Sequence, residues 1–301
     1  MEVSGEAGFA ELLRWPPFGG VLAGLWGLLW GSFGNVCIHR VPRGLSVVRP
    51  ASHCPACQQP IAWFDNIPVL SFLALRGRCR RCRAPIAWRY PLFELLAALL
   101  AVAVYYRFVL GEPGPLPLTL ARFLVYFFFA GLLAVLAMID LEHQLLPDRI
   151  TYPAIPALFV AGRVLGEVSF GEAALGAVAG YVLLRAVSDG YYYLTGREGL
   201  GYGDAKLLSA VGALLGWRAI PLTLLVGSCF GSIVSVPILL WQRRRTAAEP
   251  GAPEAPSLAK TAVPFGPFLA VGALFYLGWL HGRDLDSVVL GALRGLGVEI
   301  R

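Results

Sequence analysis

Long runs of apolar residues fill most of the chain, and polar residues are gathered between them. A run of about 20 apolar residues is long enough to cross a bilayer as a helix. Such runs lie at 18–38, 91–110, 119–139, 151–168, 173–194, 219–241 and 264–281. A shorter apolar run at 205–217 predicts a re-entrant segment or a spanning helix in locally thinned bilayer. With this run included, the pattern predicts an all-α polytopic membrane protein with about eight transmembrane helices.

The composition supports this interpretation. Hydrophobic residues make up 57% of the 301 positions, the mean hydropathy is +0.65, and only 15% of the residues are charged. Soluble domains usually carry about 25% charged residues. The N-terminal segment has Glu2, Glu6 and Glu11 against Arg14, which is the reverse of the basic start of a cleaved signal peptide. The first apolar run is therefore expected to be retained as a helix.

Arginines predict the orientation of the chain. The segment between the first two runs contains one acid, Asp65. Nine arginines share that segment: Arg40, Arg43, Arg49, Arg76, Arg78, Arg80, Arg81, Arg83 and Arg89. An excess of basic residues near span ends marks the cytoplasmic side, and an eight-span count also puts Arg243, Arg244 and Arg245 there. We expect the arginines to face anionic lipid headgroups, and we expect no nucleic-acid partner.

Three regions follow from these patterns. Residues 1–39 form an N-terminal tail and the first transmembrane helix, and residues 40–90 form a small cytoplasmic domain. Residues 91–301 form the main membrane domain. A flexible loop at about 242–263 contains the Ala/Pro-rich stretch TAAEPGAPEAP. No internal repeat is apparent in the sequence.

Four cysteines in the cytoplasmic domain predict a zinc site. Cys54 and Cys57 form one CxxC pair, Cys79 and Cys82 form a second, and 21 residues separate the pairs. Two such pairs supply four thiolates for tetrahedral zinc. Two disulfides or a redox CxxC are the alternatives, but a cytoplasmic location disfavours disulfides and no thioredoxin-like pattern surrounds either pair. We expect a zinc-ribbon-like domain in which the metal has a structural role.

Two aspartates at the borders of apolar runs are the candidate catalytic residues. Asp140 follows the third run, and Asp204 precedes the run at 205–217. The predicted topology puts both at the cytoplasmic face, where two carboxyl groups can share one proton and act as acid and base on an amide. Ordinary interfacial acids are the alternative, and Asp204 could cap the helix that follows it.

Residues beside the two aspartates are candidate supporting groups. Gly201 and Gly203 lack side chains and can adopt a positive φ, so a substrate backbone could come close to Asp204. Charged residues nearby are also expected to support the site: Lys206, Glu142 and Glu198.

Five stretches of the chain resemble the type IV prepilin peptidases, a family of bifunctional leader peptidases and N-methyltransferases. They are GSFGNVCIHRVPRG (31–44), the region 54–96, MIDLEHQLLPD (138–148), GLGYGDAKLL (199–208) and VPFGPFLAVG (263–272). The GxGD block is also found in intramembrane proteases of the presenilin and signal-peptide-peptidase type. The four-cysteine region ahead of both aspartates is what favours the prepilin peptidases.

The resemblance implies a GxGD aspartic protease in which Asp140 and Asp204 are catalytic and the four cysteines hold zinc. It implies prepilin and pseudopilin substrates of type IV pilus or type II secretion systems. Cleavage would follow a glycine at the cytoplasmic face of the bacterial inner membrane. Glu142, Asp148 and Glu198 are then candidate partners for the lysines of the basic leader.

The resemblance also implies methylation of the new N-terminal residue by S-adenosylmethionine. This half of the function rests on the resemblance alone, because no Rossmann-type fingerprint follows a strand in this chain. The methyl donor is expected in the cytoplasmic domain near Asp65, Asn66 and Gly77, with Glu94 close by at the start of the second span.

Other functions stay open from the sequence. A general intramembrane protease would cut transmembrane segments without needing a glycine-ended basic leader. A non-enzymatic membrane scaffold would use the zinc domain to dock partners, but it gives the two aspartates no role. A proton-coupled transporter would use them as relay carboxylates, but the chain shows no inverted repeat.

Overall fold

Helices make up the regular structure of both parts of the chain. The computed structural model describes residues 5–112, 114–196, 199, 201–248 and 263–282. The chain divides into two compact units, Met1–Ile139 and Asp140–Arg301. Within the described residues, β pairing is limited to two isolated bridges. The predicted all-α fold class is therefore confirmed.

The first unit contains helices whose backbones lie close together. They are α1 Gly5–Arg14, α2 Pro16–Arg40, α3 Leu70–Ala74, α4 Arg89–Tyr105 with a π-helical turn Tyr106–Leu110, and α5 Leu116–His143, which runs on into the second unit. A Cβ at Gly27 of α2 would lie 2.5 Å from the carbonyl oxygen of Ala97 in α4, and one at Gly31 would lie 2.7 Å from Cα of Glu94. Small residues that allow such close approach are common at helix contacts in membranes.

Helix α8 is the centre of the second unit. The helices of this unit are α6 Asp148–Leu165, α7 Phe170–Thr195, α8 Tyr202–Leu215, α9 Ala219–Ala248 and α10 Gly266–Phe275 with a π-helical turn Tyr276–Leu280. Every residue of α8 from Asp204 to Leu215 is buried. A Cβ at Gly212 of α8 would lie 2.2 Å from the carbonyl oxygen of Gly176 in α7. Asp204 is buried because the helix that begins around it is enclosed by its neighbours.

The helices make the chain a multi-pass membrane protein. In the part of the chain that the structure describes, five are long and apolar enough to cross a bilayer: Pro16–Arg40, Arg89–Leu110, Leu116–His143, Phe170–Thr195 and Ala219–Trp241. Helices also form near the other three predicted runs. Among these, α6 carries Asp148, Arg149 and Arg163, α8 has only 14 residues, and α10 with its π turn is a shorter apolar helix. The predicted count of eight spans is therefore not confirmed.

Candidate active site and metal site

Asp140 lies in the last turn of α5 and is held by a distant part of the chain. Its side chain is buried, with the residue only 6% exposed. The backbone N–H of Gly266 donates to Oδ2 of Asp140 over 2.9 Å. Gly266 is the first residue of α10, and the N-cap residue Phe265 provides no capping side chain. Asp140 thus satisfies an N–H that the start of α10 leaves without an intrahelical partner.

Asp204 lies in the first turn of α8, where Gly201 is the N-cap residue. It is also 6% exposed. A backbone hydrogen bond from Gly201 reaches its carboxyl group, and the charge of Asp140 acts on the same group. The structure therefore brings the two aspartates together. Asp204 lies in the first turn of α8, and Asp140, at the end of α5, accepts from the first residue of α10. Each carboxyl group is thus beside the N-terminus of a helix, where the dipole favours a negative charge.

The two glycines of the GxGD block have different surroundings. Neither Gly201 nor Gly203 has a positive φ. A Cβ at Gly203 would lie 2.6 Å from Cβ of Leu146, whereas one at Gly201 would have Oδ2 of Asp204 as its nearest neighbour, at 3.4 Å. Gly203 is therefore required by the packing of Leu146, a residue of the segment that follows Asp140.

Lys206 is buried and paired. Its ammonium forms an ion pair with Asp148 and lies 4.4 Å from the centre of the Tyr152 ring. Asp148 was a candidate partner for substrate lysines, but it already has Lys206 as its partner. The pair joins the first residue of α6 to helix α8, close to Asp204.

Of the remaining two candidate acids, the structure describes only Glu142. Glu142 lies two residues after Asp140, and its Oε2 is 3.9 Å from Nε2 of His143. Its side chain is about a quarter exposed, at 26%. Glu198 lies outside the described residues.

The cysteine region contains two copies of one structural unit. In each copy the backbone N–H of the first cysteine donates to the carbonyl oxygen five residues later, with N–O distances of 3.0 Å from Cys54 and 2.9 Å from Cys79. The residue after the second cysteine has a positive φ in both copies, 57° at Gln58 and 62° at Arg83. An isolated β-bridge closes each copy at an equivalent place.

This duplication corrects the interpretation that the chain has no internal repeat. The two copies are CPACQQPIAW at 54–63 and CRRCRAPIAW at 79–88. The shared residues are the two cysteines and the tetrapeptide PIAW, and the positions between them differ. The equivalence becomes clear from the backbone, because the same turn recurs around both cysteine pairs.

The four cysteines can hold a metal ion. Their sulfur atoms all lie within 4.8 Å of one another, and Sγ of Cys54 is 3.8 Å from Sγ of Cys82. Four thiolates about 2.3 Å from a tetrahedral zinc ion are about 3.8 Å apart, so the donor set and its size fit zinc. Backbone hydrogen bonds from Cys82 and Arg81 lower the pKa of the Cys79 thiol to about 6, which favours the thiolate that a metal requires. None of these cysteines is in a disulfide.

The residues predicted to bind the methyl donor have different surroundings. Asp65 accepts hydrogen bonds from the guanidinium of Arg80, with Nε 2.8 Å from Oδ2, and this partner lowers the pKa of Asp65. Glu94 is buried and accepts the backbone N–H of Val69 over 2.7 Å. Val69 has a φ of 61°, which is strained for a β-branched residue.

Gly77 lines a cavity of about 630 Å³, whose wall does not include Asp65, Asn66 or Glu94. The cavity wall is mainly apolar but includes the arginines Arg76 and Arg78. The residues that line it are Phe72, Leu73, Arg76, Gly77, Arg78, Pro85, Ile86, Ala87 and Trp88. The rings of Phe72 and Trp88 lie 4.7 Å apart, centre to centre. Asn66 ends the 3₁₀ turn Trp63–Asn66 and is not part of this wall.

Family profiles match the chain in the regions that hold these two sites. The profile of the Bacterial Peptidase A24 N-terminal domain matches residues 25–108, and the Type IV leader peptidase family matches residues 127–236. The first contains the cysteine cluster, and the second contains Asp140 and Asp204. The fold and the sites thus define a membrane protein of the type IV leader peptidase class.

Individual relatives are similar over most of their length. The Prepilin leader peptidase/N-methyltransferase of Aeromonas hydrophila is 39% identical over 279 residues, which is 85% of this chain and 89% of the relative. The protein of the same name from Klebsiella pneumoniae is 44% identical over 221 residues, 71% of this chain and 93% of the relative. No solved structure matches the chain significantly. The chain belongs to the prepilin leader peptidase/N-methyltransferase family, and the resemblance predicted from its motifs is confirmed.

Sequence reasoning missed two residues of the aspartate site. Leu146 packs against Gly203, and Gly266 donates to Asp140. Leu146 lies in the MIDLEHQLLPD block and Gly266 in VPFGPFLAVG, so both stretches were recognised as motifs. Their contacts depend on how helices that are distant in sequence pack together, and a local sequence pattern cannot predict such contacts.

Proposed function

We propose that this chain is a prepilin peptidase that removes the basic leader of type IV prepilins or pseudopilins after a glycine. Asp140 and Asp204 are the proposed catalytic pair. The observation that carries the proposal is their placement: two buried carboxyl groups interact at the end of α5 and the start of α8. The four-cysteine domain ahead of them favours this function over that of a general intramembrane protease.

The pair would act as one acid and one base. The ionised carboxylate takes a proton from water while the water oxygen forms a bond to the scissile carbonyl carbon. The protonated partner donates its proton to the departing amine nitrogen as the C–N bond breaks. The proton taken from water remains on the pair, which is thereby ready for another turnover. The shared proton belongs to the pair, so neither aspartate is given a fixed role.

Cleavage of a synthetic prepilin in liposomes tests the proposal. The comparison is wild type against Asp140→Asn and Asp204→Asn, because asparagine keeps the shape of the side chain and removes the acid. Each variant alone is expected to abolish cleavage while keeping its fold and its bound metal. Cleavage at a near wild-type rate by either variant would show that the pair is not catalytic.

The metal is proposed to be zinc with a structural role in a domain on the cytoplasmic side. The soft, closed set of four thiolates suits structural zinc, which leaves no open position for a substrate. The excess of arginines around the cysteines supports the cytoplasmic side of a bacterial inner membrane. These arginines are proposed to contact anionic lipid headgroups, which would make binding to anionic vesicles sensitive to salt.

Methylation of the new N-terminal residue is proposed as the second activity, with S-adenosylmethionine as methyl donor. The donor is placed in the region of Asp65, Asn66, Gly77 and Glu94. The cavity beside Gly77 supports this placement, because aromatic rings suit an adenine and arginines suit a carboxylate. Glu94→Gln should reduce the transfer of radiolabelled methyl groups to cleaved prepilin and leave cleavage unchanged. If Glu94→Gln keeps both activities, the methyl donor must bind elsewhere in the protein.

Acids beside the aspartate pair are proposed to receive the lysines of the leader. Glu142 has the position for this role, and Glu198 is the second candidate. Reversing the charge of both should raise the apparent KM for prepilins with basic leaders. The same variant should leave the KM of a prepilin with a neutral leader unchanged, and equal effects on both substrates would exclude the role.

A further inference from the structure

We propose that Gly266 is a positioning residue of the active site, whose backbone N–H and missing side chain together fix the orientation of the Asp140 carboxyl group. The inference rests on the proposed function, since it concerns how one member of the catalytic pair is held. Gly266 lies far from both aspartates in sequence and in a different helix.

The hydrogen bond fixes Asp140 from one side. The N–H of Gly266 donates to Oδ2 of Asp140 over 2.9 Å in a buried setting. Phe265, the N-cap residue of α10, contributes no capping side chain, so the aspartate takes that place.

The absence of a side chain at residue 266 provides the space for the carboxyl group. A Cβ at Gly266 would lie 2.8 Å from Oδ2, 3.3 Å from Cγ and 3.5 Å from Cβ of Asp140. An sp³ carbon cannot stay 2.8 Å from an oxygen to which it is not bonded. Since Gly266 does not have a positive φ, alanine is allowed there by the backbone. Only the volume of the added methyl group conflicts with the site.

Helix α10 is packed closely against α9. A Cβ at Gly272 of α10 would lie 2.3 Å from the carbonyl oxygen of Thr223 in α9, and one at Gly227 of α9 would lie 2.8 Å from the carbonyl oxygen of Phe268. The two backbones are therefore already in close contact. We therefore expect an added methyl group at residue 266 to be accommodated by rotation of the short Asp140 side chain.

Kinetics of Gly266→Ala in liposomes test the inference. We expect kcat for prepilin cleavage to fall by about 100-fold, the loss that a displacement of about 1 Å in a catalytic group can cause, with KM little changed. A non-cleavable transition-state analogue of the cleavage site should bind about 100-fold more weakly, and an uncleaved leader peptide should bind as before.

Two other glycines of the same helical segment are matched controls. Gly278 has no atom within 4 Å of an added Cβ, so Gly278→Ala should behave like wild type. Gly272→Ala should lower the Tm by disturbing the contact with α9, while the folded fraction keeps its kcat. A loss of kcat in Gly266→Ala that merely matched Gly272→Ala would make Gly266 a packing residue and overturn the inference.

A double-mutant cycle keeps the test independent of activity. If the conflict is with Asp140, Gly266→Ala should be at least as stable as its parent in an Asp140→Ala background, because the carboxyl group is gone. A loss of Tm that is the same in both backgrounds would overturn the inference. Wild-type kcat in Gly266→Ala, with Asp140→Asn inactive, would overturn it and leave the peptidase proposal intact. Activity in Asp140→Asn would instead remove the peptidase proposal itself.

Discussion

Lys206 of helix α8 forms an ion pair with Asp148, the first residue of helix α6. The pair links the helix that follows Asp140 in the chain to the helix that begins around Asp204. Its two ends differ in burial: the side chain of Lys206 is 10% exposed and that of Asp148 is 60% exposed. An ammonium that is largely buried depends on its counter-ion more than an exposed carboxylate does.

Asp148→Asn is therefore expected to lower stability more than Lys206→Met does. The first variant leaves a buried charge with the Tyr152 ring as its remaining contact, and the second leaves a hydrated carboxylate. Because Asp148 is mostly exposed, the difference should be about 1 kcal/mol rather than the full cost of an unpaired buried charge. Thermal unfolding in detergent measures it. Equal losses of Tm in the two variants would contradict the argument.

Gly203→Ala should destabilise the site far more than Gly201→Ala. At residue 203 an added Cβ would lie 2.6 Å from Cβ of Leu146, whereas at residue 201 its nearest neighbour would be 3.4 Å away. Overpacking of this kind typically costs about 1–3 kcal/mol. Leu146→Ala should restore part of the Tm and cleavage lost in Gly203→Ala, and it should give no such benefit in Gly201→Ala. Failure of this rescue would mean that Gly203 is needed for substrate approach instead of packing.

The sequence predicts the helices well because each helix corresponds to an apolar run in its own segment of the chain. Helix α5, for example, contains a long and mostly apolar run that ends at a charged segment, and the structure extends that run only to Leu116–His143. The count of spans is harder to predict, because α6 and α8 are neither long nor uniformly apolar. Burial of α8 depends on glycines of α7 that contact it, and the sequence of neither helix alone predicts that contact.

The residues of the two sites differ in the same way: some are visible in the local sequence, and others depend on how the helices pack. Asp140 and Asp204 stand out in the sequence, because ionisable groups at the border of apolar segments are costly. The cysteines stand out through their CxxC spacing. Gly266 gives no comparable signal, since its role is a backbone N–H and a missing side chain. The contact between Asp65 and Arg80 gives no such signal either, because it depends on the fold of the cysteine region. The role of Asp65 at the methyl donor stays a prediction.

Removal of the metal should expose one especially reactive thiol. In the metal-free protein the pKa of Cys79 is lowered from 9.0 to about 6 by backbone hydrogen bonds. At pH 7 Cys79 should therefore be alkylated by iodoacetamide before the other three cysteines of the cluster, as mass spectrometry of peptides would show. The stabilisation that comes from its ionisation is complete above about pH 9 and is lost as the pH falls through about 6.

The zinc-loaded protein is the control for this experiment. All four thiols should then be protected, and protection should disappear in parallel with the loss of one zinc ion per chain on treatment with a chelator. Cys54→Ser should release the metal without chelator and should make the region 40–90 sensitive to protease. Alkylation of all four cysteines at equal rates in the metal-free protein would contradict the lowered pKa of Cys79.

Asp65→Asn and Arg80→Gln should both weaken the cysteine region, because each removes one side of a single contact. The loss should be larger in Arg80→Gln, since the side chain of Asp65 is 10% exposed and that of Arg80 is 57% exposed. Arg80 lies between Cys79 and Cys82, and its guanidinium donates to both oxygens of Asp65. Loss of either partner should speed zinc release to a chromophoric chelator, and the double variant should release zinc no faster than the single ones. Arg81→Gln is the matched control, since Arg81 acts on Cys79 through its backbone.

The pH dependence of zinc release tests the contact between Asp65 and Arg80. Arg80 holds the pKa of Asp65 below its ordinary value of 3.8, so the stabilisation is present above that value and is lost as the pH falls below it. Asp65→Asn should remove this step at low pH. If Asp65 instead bound the methyl donor directly, Asp65→Asn would raise the KM for S-adenosylmethionine while Arg80→Gln would not. Faster zinc release in both variants, with the KM for S-adenosylmethionine unchanged in both, would assign Asp65 to the metal domain.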